Sequence, residues 1–224
     1  MEGIAVKINY SIHSEYHSQR NNAIVPYSSC NTTSMVMALK QARWGMPADS
    51  LHEQPEDSLS AFLRTRAAYE KQKELAPWSV GAYPPQEVHA CLRWGVNAWI
   101  GKEVDRFSLA VRAPELVAAL DSGGGAVLSG RFPMPSGDLG HIVSLAGYVV
   151  DDASGELIRW IIDDPYGDWH SQYRVHRGND IDLTVDQFRQ IFDRRREGNY
   201  WAHIIWPAEG GDHGTFQVSY RRRR

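Results

Sequence analysis

The chain has 224 residues, of which 42% are hydrophobic and 23% charged, and its formal net charge is −3. That length suits a single domain with two sides around one cleft, and the near-neutral charge lacks the electrostatic footprint of a nucleic-acid binder. Only two cysteines are present, Cys30 and Cys91, which excludes a disulfide framework and a four-cysteine zinc site but leaves open a chemical role for a thiol.

No apolar stretch reaches membrane-spanning length. Residues 1–10 lack the uninterrupted apolar core of a signal peptide, so cytosolic synthesis without the usual export route is expected. The first element in chain order is a strand over residues 4–10. A polar run, Ser18-Gln19-Arg20-Asn21-Asn22, then leads to Pro26-Tyr27-Ser28-Ser29-Cys30. A helix follows directly. Met35, Ala38, Leu39 and Ala42 fall at i, i+3, i+4 and i+7, Ser28 or Ser29 caps the start, and Gly45 with Pro47 ends it.

An acidic stretch precedes a second helical pattern over residues 58–75. Pro84-Pro85 opens a third helix through Val88, Cys91 and Leu92 to Gly95. Pro114 takes the first turn of a fourth, residues 114–120, which stops at Gly123-Gly124-Gly125. The pattern then turns to strands: 126–129, 141–150, a turn at 151–155, a returning strand over 156–163, and a short one at 173–176. Thr184 and Gln187 form a capping box for a helix ending at Gly198, and residues 200–206 close with an aromatic strand. The basic cluster Arg194-Arg195-Arg196 sits where that helix dipole favours cations, while Arg221 to Arg224 read as a solvated terminal run. The class is α+β, a helical side packed on an antiparallel sheet, with one domain over residues 1–207 and a flexible tail over 208–224.

Cys30 stands at a helix start, where the dipole and unpaired backbone N–H groups favour the thiolate. Cysteine is also a common small core residue, so position alone leaves both readings open. His141 heads a strand, where a rigid element would project its ring, and a nucleophilic thiol needs such an imidazole. The returning strand ends in Asp163-Asp164-Pro165. Hairpin topology brings that end beside His141, and strand alternation lets only one of the two carboxylates face it. A side-chain amide upstream, Gln19, together with the Cys30 N–H, would supply oxyanion donors.

These blocks resemble the papain-like cysteine peptidases of the double-glycine, bacteriocin-leader-processing type. The resemblance is carried by Ser18 to Asn22, Pro26 to Met35, Gly140-His141-Ile142-Val143 and Asp163-Asp164-Pro165-Tyr166-Gly167. It is closest to the stand-alone phage and bacterial branch that includes catalytic domains of phage endolysins. The resemblance implies a papain-like fold, Cys30 as nucleophile, His141 as base, Asp164 as orienter and Gln19 in the oxyanion hole. No catalytic metal and no cofactor are expected, and a structural metal is left open. Asn31 stands where many members carry glycine, and the interval from Gln19 to Cys30 is longer than in the transporter-linked members.

The substrate implied is a peptidoglycan peptide, reached through a separate membrane pore. A cytosolic or effector protein-processing protease and a non-cutting peptide or cell-wall binding module are the alternatives. Other constellations are weaker. His13, Glu15 and His17 lack helical zinc-protease spacing, and His89 and Cys91 do not share a helix face. Asp180 and Asp182 are equally a calcium pair or a helix-preceding loop, and Trp169 is a candidate cleft wall.

Overall fold

The computed structural model describes residues 5–11, 14–75, 85–193, 197–209 and 215–221. Among the described residues eight strands form one sheet: β1 (Ala5–Ser11), β2 (Asp105–Arg112), β3 (Gly125–Phe132), β4 (Leu139–Asp151), β5 (Leu157–Asp163), β6 (Ile181–Thr184), β7 (Asn199–Ile205) and β8 (Thr215–Arg221). Every pairing is antiparallel. The main path runs β2-β7-β3-β4-β1-β8, with β5 on β4 and β6 on β5. The long strand β4 is the hub: β3 pairs with its first half, β1 with its second, and β5 runs beside it from Ser144 to Val150.

Among the described residues there are six α-helices, α1 (Cys30–Gln41), α2 (Pro55–Leu63), α3 (Arg66–Leu75), α4 (Pro85–Ile100), α5 (Ala113–Asp121) and α6 (Val185–Phe192); α1, α4, α5 and α6 pack on the sheet, α2 packs on α1 and α4, and α3 on α4. Strand alternation sorts the side chains onto two faces. Ala126, Leu128, Val143, Leu145, Ala202 and Ile204 join Leu116, Phe188 and Phe192 from α5 and α6. Val127, Ile142 and Ile205 point the other way and join Met35, Leu39, Leu59 and Val96 from α1, α2 and α4. The α+β class expected from the sequence is what the chain adopts, with helices on both faces of the sheet rather than on one side.

Several boundaries differ from the sequence expectation. The pattern over residues 58–75 is two helices, α2 and α3. Arg64 caps the first, and the Thr65 hydroxyl accepts from the Ala68 N–H to start the second. Pro55 at the first turn moves the start of α2 forward. Helix α4 runs through Gly95 instead of ending there. A Cβ at Gly95 would lie 2.2 Å from the Leu63 side chain, so this glycine permits a close helix crossing and does not stop the helix. The helix ends at Gly101, whose φ of 78° is left-handed.

No strand forms over residues 173–176. Gln172 and Tyr173 both take left-handed φ, and the loop closes on itself through Tyr173 N–H to the Asp168 carbonyl and Asp168 N–H to the Val175 carbonyl. Strands β2 and β6 lie where the sequence pattern predicted none. Helix α6 has the expected Thr184–Gln187 capping box but ends at Phe192, and residues 194–196 lie outside the described residues. Within the stretch expected as a tail, Thr215–Arg221 forms β8 and pairs with β1 along seven residues, and residues 222–224 lie outside the described residues. Among the described residues no helix is long and apolar enough to cross a membrane.

Candidate active site

Helix α1 begins at Cys30, with Ser29 as its cap residue. Ser29 makes no capping bond through its side chain, and its buried hydroxyl has no partner among the described residues. The first turn satisfies its donors otherwise. Asn31 Oδ1 accepts from the Thr32 N–H at 2.8 Å, and the Ser29 carbonyl accepts from the Thr33 N–H at 2.9 Å. The Asn31 N–H lies close enough to the Cys30 sulfur to favour its anion. The apolar face of α1 is sealed by Met35, Val36, Ala38 and Leu39, and Ser34 Oγ donates to the Ile142 carbonyl on β4 at 3.1 Å. That bond fastens the helix carrying the thiol to the strand carrying His141.

His141 is the third residue of β4 and is 6% exposed. Its Nε2 lies 2.7 Å from Asp164 Oδ1. With Nε2 so committed, Nδ1 is the nitrogen left for Cys30, with which the ring shares a hydrogen bond. Phe132, Tyr166 and Tyr173 stand edge-on to the imidazole, with centroids 5.6, 6.3 and 6.2 Å away. Burial opposes charge on this ring, but the Asp164 carboxylate and the Cys30 thiol outweigh it and raise the imidazole to about 10. For Cys30 burial also works against the anion. The His141 ring and the N–H groups of Ile142 and Asn31 prevail, so the thiol is held below its ordinary value. The two shifts describe one thiolate–imidazolium pair.

Asp164 is wholly buried and follows directly on β5. Tyr173 donates its phenol to Asp164 Oδ2 at 3.2 Å, and the Tyr166 N–H donates to Oδ1 at 2.9 Å. Burial and the nearby Asp164 carboxylate push the Tyr173 phenol well above its usual value, which keeps it a donor. Asp163 turns away. It accepts from Ser14 Oγ at 3.0 Å and from the Asp180 N–H at 2.9 Å, and burial raises it to about 6. Of the two aspartates, Asp164 is the one against His141. Its backbone is gripped too: the Asp164 N–H donates to the Gly178 carbonyl at 2.7 Å and its carbonyl accepts from the Tyr16 phenol at 3.2 Å. A Cβ at Gly178 would come within 2.3 Å of the Asp164 carbonyl, so only glycine allows this approach.

Gln19 lies in a short 3₁₀ turn tied to the same loop, its N–H donating to the Pro165 carbonyl at 2.9 Å. The side chain is 2% exposed, and its Nε2 donates to the Pro26 carbonyl at 3.1 Å in the segment leading to Cys30. The amide is thus brought to the loop before the thiol and bound to backbone there. Sequence reasoning missed Tyr16, Tyr173 and Gly178. Tyr16 reaches Asp164 from 148 residues away, Tyr173 and Gly178 from the loop that follows β5, and no local pattern marks them.

The remaining constellations take structural roles. Trp169 packs edge-on against Phe132 and donates its indole N–H to the Pro133 carbonyl at 3.3 Å, so it buttresses the wall behind His141. His17 Nδ1 lies 2.9 Å from Glu56, and Glu15 pairs with Lys40 at 2.7 Å, while His13 lies outside the described residues. Cys91 is half-buried and its thiol is pushed up by burial, and nothing is described of the His89 side chain. Asp182 pairs with Arg159 at 3.0 Å, and Asp180 Oδ2 accepts from Asn179. No group of three His, Cys, Asp or Glu side chains among the described residues is arranged to hold a metal ion.

Chemically the arrangement offers an activated sulfur nucleophile, an imidazolium able to give its proton to a leaving group, and a fixed carboxylate that holds the ring. No protein-family model matches the chain, and a search of curated proteins returns no match.

Proposed function

We propose that this chain is a cysteine peptidase that hydrolyses peptide bonds through Cys30, His141 and Asp164, on a papain-like fold. One observation carries the reading: a half-buried thiol at a helix start is hydrogen-bonded to an imidazole whose other nitrogen lies 2.7 Å from a buried carboxylate. In the acylation step the Cys30 sulfur adds to the carbonyl carbon, and the carbonyl electron pair moves to oxygen. The tetrahedral intermediate collapses as the carbon–nitrogen bond breaks and His141 gives its Nδ1 proton to the leaving amine. Water then attacks the thioester while His141 takes its proton, and the carbon–sulfur bond breaks, releasing the acid and restoring the thiolate–imidazolium pair. The oxyanion is assigned to the Cys30 N–H and the Gln19 amide.

The preferred substrate is a peptidoglycan stem or cross-bridge peptide, cut by a lysin that reaches the wall through a separate pore. This choice rests on the resemblance to stand-alone endolysins. The test compares wild type with Cys30→Ala on purified peptidoglycan and on a generic protein substrate. Release of wall peptides by wild type alone supports the lysin reading. Cleavage of the protein and not of the wall replaces it with a protein-processing protease. Binding without cleavage by either protein overturns the enzyme and leaves a binding module.

A further inference from the structure

Arg20 sits between the functional loops and has a role that the triad does not explain. Arg93, Arg106 and Arg159 each lie against a carboxylate, Glu103, Glu115 and Asp182 respectively. Among the described residues no carboxylate pairs with Arg20. Its guanidinium instead lies flat over the Tyr166 ring, 3.8 Å from the centroid, and Nε donates to the Tyr166 carbonyl at 2.6 Å. Its backbone N–H is held by Ser18 Oγ, and the neighbouring Gln19 is buried. The side chain is therefore fixed at its Nε edge and on one face. Among the described residues the two Nη groups have no bonded acceptor.

The stack links this fork to the imidazole through one aromatic ring. Tyr166 packs edge-on to His141 and to Tyr173, so the Arg20 guanidinium is one ring removed from the imidazole. His141 is the group that protonates the leaving amine, and the leaving half of the substrate passes on its side of Cys30. A planar fork with free Nη donors matches a carboxylate in bidentate geometry, and prior immobilisation on an aromatic face lowers the entropy cost of binding.

We infer that Arg20 is a specificity residue, binding a carboxylate on the leaving-group side of the scissile bond, either an acidic side chain or the free C-terminus of a short peptide. The inference rests on the peptidase reading and names the substrate class for it.

Two measurements test it. The first is the rate of Cys30 alkylation by iodoacetyl-alanine and iodoacetyl-alanyl-alanine, each as free acid and as amide, followed on the Cys30 peptide by mass spectrometry. The acid-to-amide rate ratio of wild type is expected to fall about ten-fold in Arg20→Gln and less in Arg20→Lys, which keeps the charge without the fork. The rates with the amides should match across all three proteins. An acid-to-amide ratio that does not change, or an amide rate that collapses with the acid rate, overturns the proposal, since the latter means Arg20 only props the loop.

The second measurement is the cleavage profile of a mixed peptide library, with Cys30→Ala as blank. Cuts should concentrate before glutamate or aspartate, or close to the C-terminus, and the two patterns separate a side-chain carboxylate from a terminal one. Cleavage with no such bias, together with an unaltered alkylation ratio, removes Arg20 and leaves the peptidase standing. No cleavage by wild type, with a ratio that still responds to Arg20, removes the peptidase and leaves a carboxylate-binding site.

Discussion

The described residues include two buried histidine–aspartate pairs, His141–Asp164 and His203–Asp105, which sit in different surroundings. In one, His141 Nε2 lies 2.7 Å from Asp164 and the imidazole also reaches the Cys30 thiol. In the other, His203 Nδ1 lies 2.5 Å from Asp105 Oδ2, with the ring tilted against Phe107 at 4.8 Å between centroids. His203 is on β7 and is 1% exposed. Alternation puts it with Ile205 on the face covered by α1, α2 and α4. Both carboxylates are essentially buried, so burial and the pair itself do not distinguish a reactive centre from a joint between strands β2 and β7. What marks the first pair is the helix start carrying the Cys30 thiol against its ring. A short contact between histidine and aspartate is therefore weak evidence of catalysis until a nucleophile completes it.

The comparison breaks most visibly in turnover. Cys30→Ala is expected to lower peptide hydrolysis by at least about 10³-fold with the fold intact by circular dichroism. Asp164→Asn, which frees the ring to take the wrong tautomer, should cost on the order of 10²–10⁴-fold in kcat. Asp105→Ala should instead leave kcat per folded molecule near wild type while costing about 3 kcal/mol in urea unfolding, because it strands a buried histidine. If Asp105→Ala removed activity without loss of stability, the two pairs would have exchanged roles.

Alkylation against pH sharpens the same contrast. His141 holds the Cys30 thiol below its ordinary value against the opposing effect of burial, so iodoacetamide should react with it at lower pH than with an unassisted thiol. With His141→Ala the profile should move up to about pH 8.5, the range of an unassisted thiol. Beside Cys30, His141 and Asp164, Asp163 supplies a stability signal in the acid range. Burial raises it to about 6, above its unfolded value, so the folded state holds this proton more tightly than the unfolded chain does. Its contribution is full below about pH 4 and is lost as pH rises towards about 6. Asp163→Asn should flatten that slope by roughly 3 kcal/mol in denaturant titrations run at pH 4 and pH 7. The smallest effect is expected for Tyr173→Phe. Removing one donor from Asp164 Oδ2 should cost about 1 kcal/mol, read as a several-fold fall in kcat with little change in KM.

Much of this site was legible because it is written in local patterns. The helix after Cys30 follows from apolar spacing, and the hairpin follows from two strand patterns around a turn. In the structure Ser144 opposes Asp163, which brings His141 and Asp164 to the same end of that hairpin. The groups around Asp164 were not legible. Tyr16 and Gly178 are 162 residues apart, yet they meet through a 3.1 Å bond, and nothing in either neighbourhood signals the other. Gly95 was misread for the same reason. A glycine that ends a helix and one that admits a crossing helix look alike until the Leu63 side chain is in place.

The sequence by itself determined the class of the fold, the helix start at the thiol, and the hairpin that carries the histidine and the two aspartates. These depend on periodicity, capping and turn chemistry, which act over a few residues. The tertiary structure alone decided that Asp164 rather than Asp163 meets the ring and that Gln19 binds the Pro26 carbonyl. It also decided that Arg20 lies over Tyr166. Each of these depends on which distant backbone or ring occupies the space alongside, and packing fixes that only once the sheet has closed.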